Sequence, residues 1–296
     1  MTQAARPITR VLITGAGGQV GRALLDAVPD SFEEIACTHA DLDIGAGEAV
    51  HDCIGHHRPG VIINAAAYTA VDKAESEPDA AQRINAEGPR HLAAAARECG
   101  ARLLHISTDF VFDGTASVPY RPDSATHPLS VYGRSKREGE RSILETFADG
   151  STIVRTAWVY GPTGANFLLT MLRIMRANGT ARVVADQVGT PTAVRSLADA
   201  LWRIAARPEI RGIHHWTDAG VASWYDFAVA IAEEGAVLGL LPPEIEVTPI
   251  TTAEYPTPAR RPCYSVLDKS SLTPYGLLPI HWRKCLRAVL REMASV

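Results

Sequence analysis

Short apolar runs and amphipathic stretches alternate along the first two-thirds of the chain. Val11-Leu12-Ile13-Thr14 has no polar alternation, the pattern of a strand buried on both faces. Ile35-Ala36-Cys37, Val61-Ile62-Ile63-Asn64, Leu103-Leu104-His105-Ile106 and Thr152-Ile153-Val154-Arg155 repeat it, and Gly212-Ile213-His214-His215-Trp216 is a weaker instance. Helical patterns fall between these runs. Pro89 to Cys99 has Pro in its first turn, an Ala-rich interior and Gly100 just past its end. Strand and helix in repeated alternation predict an α/β fold, a Rossmann-type doubly wound parallel sheet with helices on both faces. Beyond about Gly161 the rhythm loosens. Helical stretches at Phe167–Ala177, Arg195–Ala206 and Trp224–Glu234 mix with Pro-rich loops such as Tyr255-Pro256-Thr257-Pro258. The reading is a sheet domain over 1–160, to which a strand near 212–217 returns, followed by a smaller domain over 161–296. A last helix around Trp282–Met293 carries apolar residues at packing intervals.

Composition narrows the class without naming a chemistry. The 296 residues are 46% hydrophobic and 21% charged with a formal net charge of −4, ordinary for a globular protein and giving no basic surface for nucleic acid. Cys37, Cys53, Cys99, Cys263 and Cys285 are odd in number and far apart, which favours free thiols in a reducing compartment over a disulfide framework or a metal site. The N-terminal MTQAARPITR lacks the apolar core of a signal peptide and no run is long enough to cross a bilayer, so the expectation is a cytoplasmic protein.

The first run leads into VLITGAGGQVG, with Gly15, Gly18 and Gly21 spaced three apart before a helix. Gly15 permits a tight turn. Gly18 lets a pyrophosphate approach backbone N–H groups at the helix start, beside Gln19 and Val20. Gly21 allows close packing of helix on strand. The end of the second run, Cys37-Thr38-His39-Ala40, carries no acid before Asp41. An acid there favours NAD, so this chain tolerates a 2′-phosphate, and His39 either faces it or is a surface residue. Leu42 and Asp43 follow; Asp43 is a candidate for the adenine amino group or a helix cap.

Tyr132 and Lys136 lie four apart near the start of a predicted helix and share one face. A tyrosine is too weak an acid to work alone at neutral pH, and a neighbouring ammonium is expected to stabilise phenolate and lower its pKa. The same ammonium can hold a ribose hydroxyl, and Gly133 and Ser135 are small enough to leave room for it. Ser107-Thr108-Asp109 ends the fourth run, at the sheet edge where ligands bind in such folds. Thr108 is placed to donate a hydrogen bond to the oxygen that Tyr132 protonates.

Together the glycine loop, Asn64-Ala65-Ala66-Ala67, Ser107-Thr108-Asp109 and Tyr132-x-x-x-Lys136 resemble the extended short-chain dehydrogenase/reductase family. The stretches NAAAYTAVDKAESEP (64–78), STDFVFDG (107–114), RTAWVYG (155–161), DQVGTPT (186–192) and YPTPARRP (255–262) are similar, more narrowly, to its dTDP-4-dehydrorhamnose reductases. The resemblance spans nearly the whole chain. It implies an NAD(P)-binding domain followed by a mainly substrate-binding one, and reduction of the C4 ketone of a dTDP-4-keto-6-deoxy sugar by NADPH or NADH. In that scheme Tyr132 protonates the carbonyl oxygen, Lys136 tunes Tyr132 and binds the nicotinamide ribose, and Thr108 orients the substrate. Asn64, Ala65, Ala66 and Ala67 fall on the cofactor; Thr69, Val71, Asp72, Asp109 and Trp158 fall near the sugar. Arg260 and Arg261 suit the diphosphate, because a guanidinium fork matches phosphate oxygens.

Two departures from the family pattern stand out. Some bacterial members dimerise through magnesium held by glutamates, but Ala23 and Arg195 occupy the corresponding positions and neither offers the oxygen ligands a hard cation needs. No metal site and no metal-bridged dimer are expected, leaving a monomer as the simplest state. Cys263-Tyr264-Ser265 replaces a common Asn-Ser, and a bulkier Tyr264 either reshapes the sugar pocket or faces solvent. A related keto-sugar of an antibiotic pathway therefore stays open. A dehydratase is disfavoured because Phe110, not a second acid, follows Asp109. An epimerase, or a regulatory subunit that keeps the nucleotide fold, are the remaining alternatives.

Overall fold

The computed structural model describes residues 8–295; residues 1–7, which form most of the stretch read as lacking a signal peptide, lie outside the described residues. Six parallel strands make the central sheet: β1 (Thr9–Thr14), β2 (Phe32–Cys37), β3 (Val61–Asn64), β4 (Arg102–Thr108), β5 (Ser151–Thr156) and β6 (Gly212–His215). Their spatial order is β6-β5-β4-β3-β1-β2. β6 pairs with β5 in parallel, so the late strand does return to the sheet. β1 lies between β2 and β3, and the carboxyl ends of β1 and β3 flank the point where the winding reverses, where open α/β sheets bind ligands.

The unalternating apolar runs have a direct cause. Val11 and Ile13 of β1 enter a core with Leu24, Leu197, Leu201 and Trp202, whereas Leu12 enters another with Val50, Ile54, Leu92 and Ile143. Helices α1 (Gln19–Leu25) and α6 (Val194–Ala205) cover the first face; α2 (Gly47–His57), α3 (Gly88–Cys99) and α4 (Val131–Phe147) cover the second. Both faces are thus dry, and period-2 polarity disappears. Gly100 ends α3 in the left-handed conformation (φ 74°), as a C-terminal glycine does. Although α6 lies late in the chain, it belongs to this sheet: Trp202 Nε1 donates to Leu24 O at 3.0 Å.

A separate hydrophobic cluster forms from α5 (Phe167–Asn178), α7 (Trp224–Val237) and α8 (Trp282–Ala294), joined by the parallel strand pair Thr180–Val184 and Glu246–Ile250. Leu168, Leu172, Phe227, Ile231, Leu286 and Leu290 are its centre. The α8 positions read as packing are buried here, and Met293 packs against the cluster.

A buried ion pair ties α4 to the sheet. Arg155 of β5 donates to both carboxylate oxygens of Glu140, at 2.9 and 2.7 Å, and Ser107 of β4 donates to Oε1. No helix among the described residues is long and apolar enough to cross a membrane.

Candidate active site

The glycine loop follows β1 and caps α1. A Cβ at Gly15 (φ 67°) would sit 2.6 Å from Ala66 N, and one at Gly21 would collide with the carbonyl of Gly15. These two glycines are demanded by the chain itself. A Cβ at Gly18 would meet only Gly15 O, at 3.3 Å, so backbone access above Gly18 stays open at the start of α1, whose first N–H groups have no side-chain cap. This is the cradle a dinucleotide pyrophosphate needs, and the donor set fits one.

That loop opens into a cleft of about 440 Å³ at the switch point. Gly18, Gln19 and Val20 line one side and Ala65, Ala66 and Ala67 the floor. Thr108, Asp109, Tyr132 and Lys136 line the other side, with Thr69, Val71 and Trp158 at the outer rim. Gln19 reaches across, its Nε2 donating to Ala165 O at 3.2 Å and its Oε1 accepting from Asn166 Nδ2 at 2.9 Å. Thr156, Ala157, Val159 and Ala165 also line the cleft; the first three lie in the RTAWVYG stretch but were not singled out as site residues, and Ala165 lies in no quoted motif.

Tyr132 enters the cleft because Ser130 caps α4, accepting from Gly133 N at 3.1 Å. The expected tuning of the phenol by Lys136 is not what the geometry provides. Burial pushes the Tyr132 pKa up to about 12, opposed by a hydrogen bond with Thr108 and reinforced by Asp109. Lys136 is itself lowered to about 8 by burial, with Glu140 opposing the fall. Its Nζ turns to β4, donating to Ile106 O at 2.7 Å and lying 3.2 Å from His105 Nε2. Gly133 and Ser135 also serve differently from the expectation of ribose space. A Cβ at Gly133 would strike Phe110 O, and the buried Ser135 accepts from Asn85 Nδ2 at 3.0 Å and donates to Tyr132 O at 2.8 Å.

Thr108 accepts from Phe110 N at 3.2 Å and donates to Asp109 Oδ1 at 3.1 Å. Asp109 is buried, its Oδ2 has no hydrogen-bond partner, and loss of solvation raises its pKa to about 6. Phe110 stands edge-on against Tyr132, with ring centroids 5.5 Å apart. An aromatic edge thus fills the position where a dehydratase carries its second acid.

Other sequence-read residues are placed elsewhere. Asn64 is fully buried behind the alanine floor. The Leu42 side chain is a core residue packed with α2 and α3. His39 is exposed and does not line the cleft. The Asp43 carboxylate is taken up by Gly45 N at 2.9 Å and Arg83 at 2.7 Å, so it caps the following loop. Asp72 holds Arg261 in a two-point ion pair at 2.8 and 3.1 Å, which clasps the loop after β3 to the C-terminal segment. Arg260 is exposed. Tyr264 packs against the cluster of Phe112, Tyr120 and Leu267, its ring centroid 6.3 Å from that of Tyr120, and lines neither the cleft nor its neighbour.

Trp158 takes a positive φ of 49° and stacks on Trp224, rings 3.5 Å apart and 7° from parallel. A non-glycine residue held at positive φ beside a cleft marks a site where packing overrides backbone preference. Beyond this pair lies a second hollow of about 400 Å³, lined by Phe167, Arg182, Gln187, Trp224, Tyr255 and Arg261. Arg182 and Trp224 carried no recognisable motif in the sequence.

The sequence pattern defining the RmlD substrate binding domain matches residues 9–295. The dTDP-4-dehydrorhamnose reductase of Aggregatibacter actinomycetemcomitans is 43% identical, over 95% of this chain and 98% of that protein. A probable dTDP-4,6-dihydroxy-2-methyloxan-3-one 4-ketoreductase of Streptomyces antibioticus is 44% identical, over 97% of this chain and 96% of that one. Among solved structures, the dTDP-4-dehydrorhamnose reductase of Bacillus anthracis in complex with NADP superposes with a TM-score of 0.90 at 35% identity, covering 96% and 99% of the two chains.

Proposed function

The chain belongs to the dTDP-4-dehydrorhamnose reductase family, and we propose that its cleft reduces the C4 ketone of dTDP-4-dehydro-L-rhamnose to the alcohol of dTDP-L-rhamnose. The observation carrying this reading is the meeting of Thr108, Tyr132 and Lys136 in one cleft that opens onto the uncapped turn at Gly18. A reduced nicotinamide, when bound, supplies the hydride; NADPH is favoured because no acid stands at the end of β2 to select a free 2′-hydroxyl.

The chain's own groups do the rest. Gly18, Gln19, Val20 and the Ala65–Ala67 floor hold the dinucleotide, and Asn64 supports the floor by accepting from Ala66 N at 3.1 Å. Tyr132 gives its proton to the carbonyl oxygen as C4 becomes tetrahedral. A phenol whose pKa is pushed up to about 12 stays protonated at neutral pH, which suits a donor. Thr108 keeps the phenol oriented, and Lys136 meets the ribose. Trp158, Thr69 and Val71 bound the sugar. Arg182 and Arg261, which line the hollow beyond the Trp pair, are the groups we favour for the diphosphate; Arg260 is not part of that hollow.

The two-domain reading fits this division, with α6 assigned to the nucleotide-binding part. A cytoplasmic monomer is the assembly we favour, because Ala23 and Arg195 offer no oxygen ligands to a bridging cation. The similarity to the Streptomyces antibioticus ketoreductase supports a second reading, reduction of another dTDP-4-keto sugar. Mixing the protein with NADPH and dTDP-4-keto-L-rhamnose and following reduced-nicotinamide absorbance separates them. A fast, sugar-dependent fall supports the rhamnose reading. No fall with this sugar, but one with another dTDP-4-keto sugar, supports the second.

A further inference from the structure

The helix that carries Tyr132 is fastened along its body. Ser135 accepts from Asn85, and Glu140, further along, accepts from Arg155 and Ser107. Tyr132 itself lies in the first turn, where backbone N–H groups have no partner within the helix and where helices fray. Two side chains meet these groups. Ser130 accepts from Gly133 N at 3.1 Å, and Glu75 accepts from Val131 N, the residue beside Tyr132, at 2.7 Å. Ser130 is the local cap, whereas Glu75 comes from the segment after β3. A carboxylate on the first N–H of a helix makes a charge-assisted hydrogen bond and faces the positive end of the helix dipole.

The acid reaches out from a fixed base. Tyr68 exchanges two hydrogen bonds between its backbone and the Asn85 side chain, at 2.8 and 3.0 Å, and its phenol donates to Glu77 at 2.7 Å. Between these ties runs the short helix Val71–Ala74. Asp72 on this helix holds Arg261 and accepts from Ala259 N at 3.2 Å. Val71 and Ala74 pack in one cluster with Tyr132. Residues three and four apart share a helix face, so Val71, Ala74 and Glu75 meet α4 together while Asp72 meets the C-terminal segment.

We propose that Glu75 is a positioning residue for Tyr132: by holding the N–H of Val131 it fixes the first turn of α4, and with it the direction in which the phenol enters the cleft. Glu75 does not line the cleft, so it acts through the backbone of α4 rather than on substrate or cofactor. Lys73, the cation nearest to it in sequence, is paired with Glu77 at 2.8 Å and leaves the Glu75 carboxylate to the helix. Without the carboxylate, the Val131 N–H is left to water, the first turn opens more easily, and the phenol spends less time aligned with the carbonyl oxygen. A glutamine keeps the accepting oxygen and therefore the alignment. The consequence for turnover rests on the reductase reading above; the hold on the helix start does not.

The test uses the full chain and two variants, Glu75→Ala and Glu75→Gln, assayed with NADPH and dTDP-4-keto-L-rhamnose, or whichever dTDP-4-keto sugar the protein reduces. In Glu75→Ala kcat should fall by about tenfold or more, the scale of a misplaced reacting group, with the NADPH Kd kept within about twofold. Glu75→Gln should bring kcat back to within about threefold of wild type, because its amide oxygen still accepts from Val131. Wild-type kcat in Glu75→Ala overturns the proposal, and so does an equal loss in both variants. An NADPH affinity that collapses together with kcat also overturns it, since general loosening of the fold produces that pattern. Should Glu75→Ala not fold, amide hydrogen exchange in the wild-type protein without nucleotide decides. The Val131 amide should then be protected about as well as that of Gly133, which Ser130 holds. Exchange at Val131 faster than at Gly133 by about a hundredfold or more overturns the proposal. A protected Val131 amide with no NADPH-dependent turnover on any dTDP-4-keto sugar would count against the reductase reading and leave the anchored helix start standing.

Discussion

The catalytic cleft and the hollow beyond the tryptophan pair are adjacent, yet they are built on different principles. The cleft sits at the carboxyl edge of a sheet buried on both faces, and its proposed reactive groups come from a strand end and one helix, Thr108 with Tyr132 and Lys136. Its geometry is set by ladder register and by the buried Arg155–Glu140 pair. The hollow is gathered from a helix start at Phe167, a strand at Arg182, another helix start at Trp224 and a loop at Tyr255 and Arg261. What shapes it is side-chain stacking and two ion pairs, Arg261 with Asp72 and Arg182 with Glu254. The first region is fixed by the sheet ladder, while the second is held by contacts between side chains from separate elements.

The sharpest way to break that contrast is at the phenol. Tyr132→Phe should lower kcat by about 10²- to 10⁴-fold, the usual worth of a positioned proton donor, while NADPH still binds by nucleotide fluorescence. A near-normal rate would remove Tyr132 as the donor. Next comes the anchor of the cleft. Arg155→Met leaves the buried Glu140 charge without its partner, and urea unfolding should show a loss of about 3–5 kcal/mol. A loss below about 1 kcal/mol would mean that the pair does not hold α4 to the sheet.

Asp109 gives a pH signature confined to the cleft. Its folded-state pKa is raised to about 6 from 3.8, so between those values the folded protein keeps a proton that the unfolded chain has released. This contribution is fully present below about pH 4 and is lost as pH rises through about 6, by as much as about 3 kcal/mol. Asp109→Asn should flatten that part of the stability-versus-pH curve relative to wild type; an unchanged curve would refute the buried, unpartnered placement of Oδ2. The smallest effect belongs to the hollow. Trp224→Ala removes a stack worth about 1 kcal/mol and should raise the sugar KM several-fold with kcat nearly kept. A fall in kcat matching that of Tyr132→Phe would erase the distinction between the two regions.

The helices and strands of the first half were legible because each is a local pattern repeated along the chain. The Val11–Thr14 run announces a strand buried on both faces, and Gly100 announces the end of α3. Gly15, Gly18 and Gly21 could be assigned separate roles, since a turn, an open approach and a close contact make different demands at each spacing. The pairing of Thr180–Val184 with Glu246–Ile250 went unread, because two short half-exposed strands far apart in sequence leave no periodic trace.

What the sequence determined by itself, then, was identity at each position: which residues can carry a proton, where a glycine is compulsory, and which stretches must be buried. Charge state and partnership were decided only by the tertiary structure. The spacing of Tyr132 and Lys136 suggested an ammonium tuning a phenol, but folding turns Lys136 toward His105 and strips solvent from both groups, which moves their pKa values apart from the expected direction. The Leu42 side chain packs in the core and the Asp43 carboxylate is bound to Arg83, contacts that the run Asp41-Leu42-Asp43-Ile44 does not announce. Spacing along a chain constrains which groups can meet on one helix face; desolvation and hydrogen-bond direction depend on what arrives from other strands, and those strands are remote in sequence.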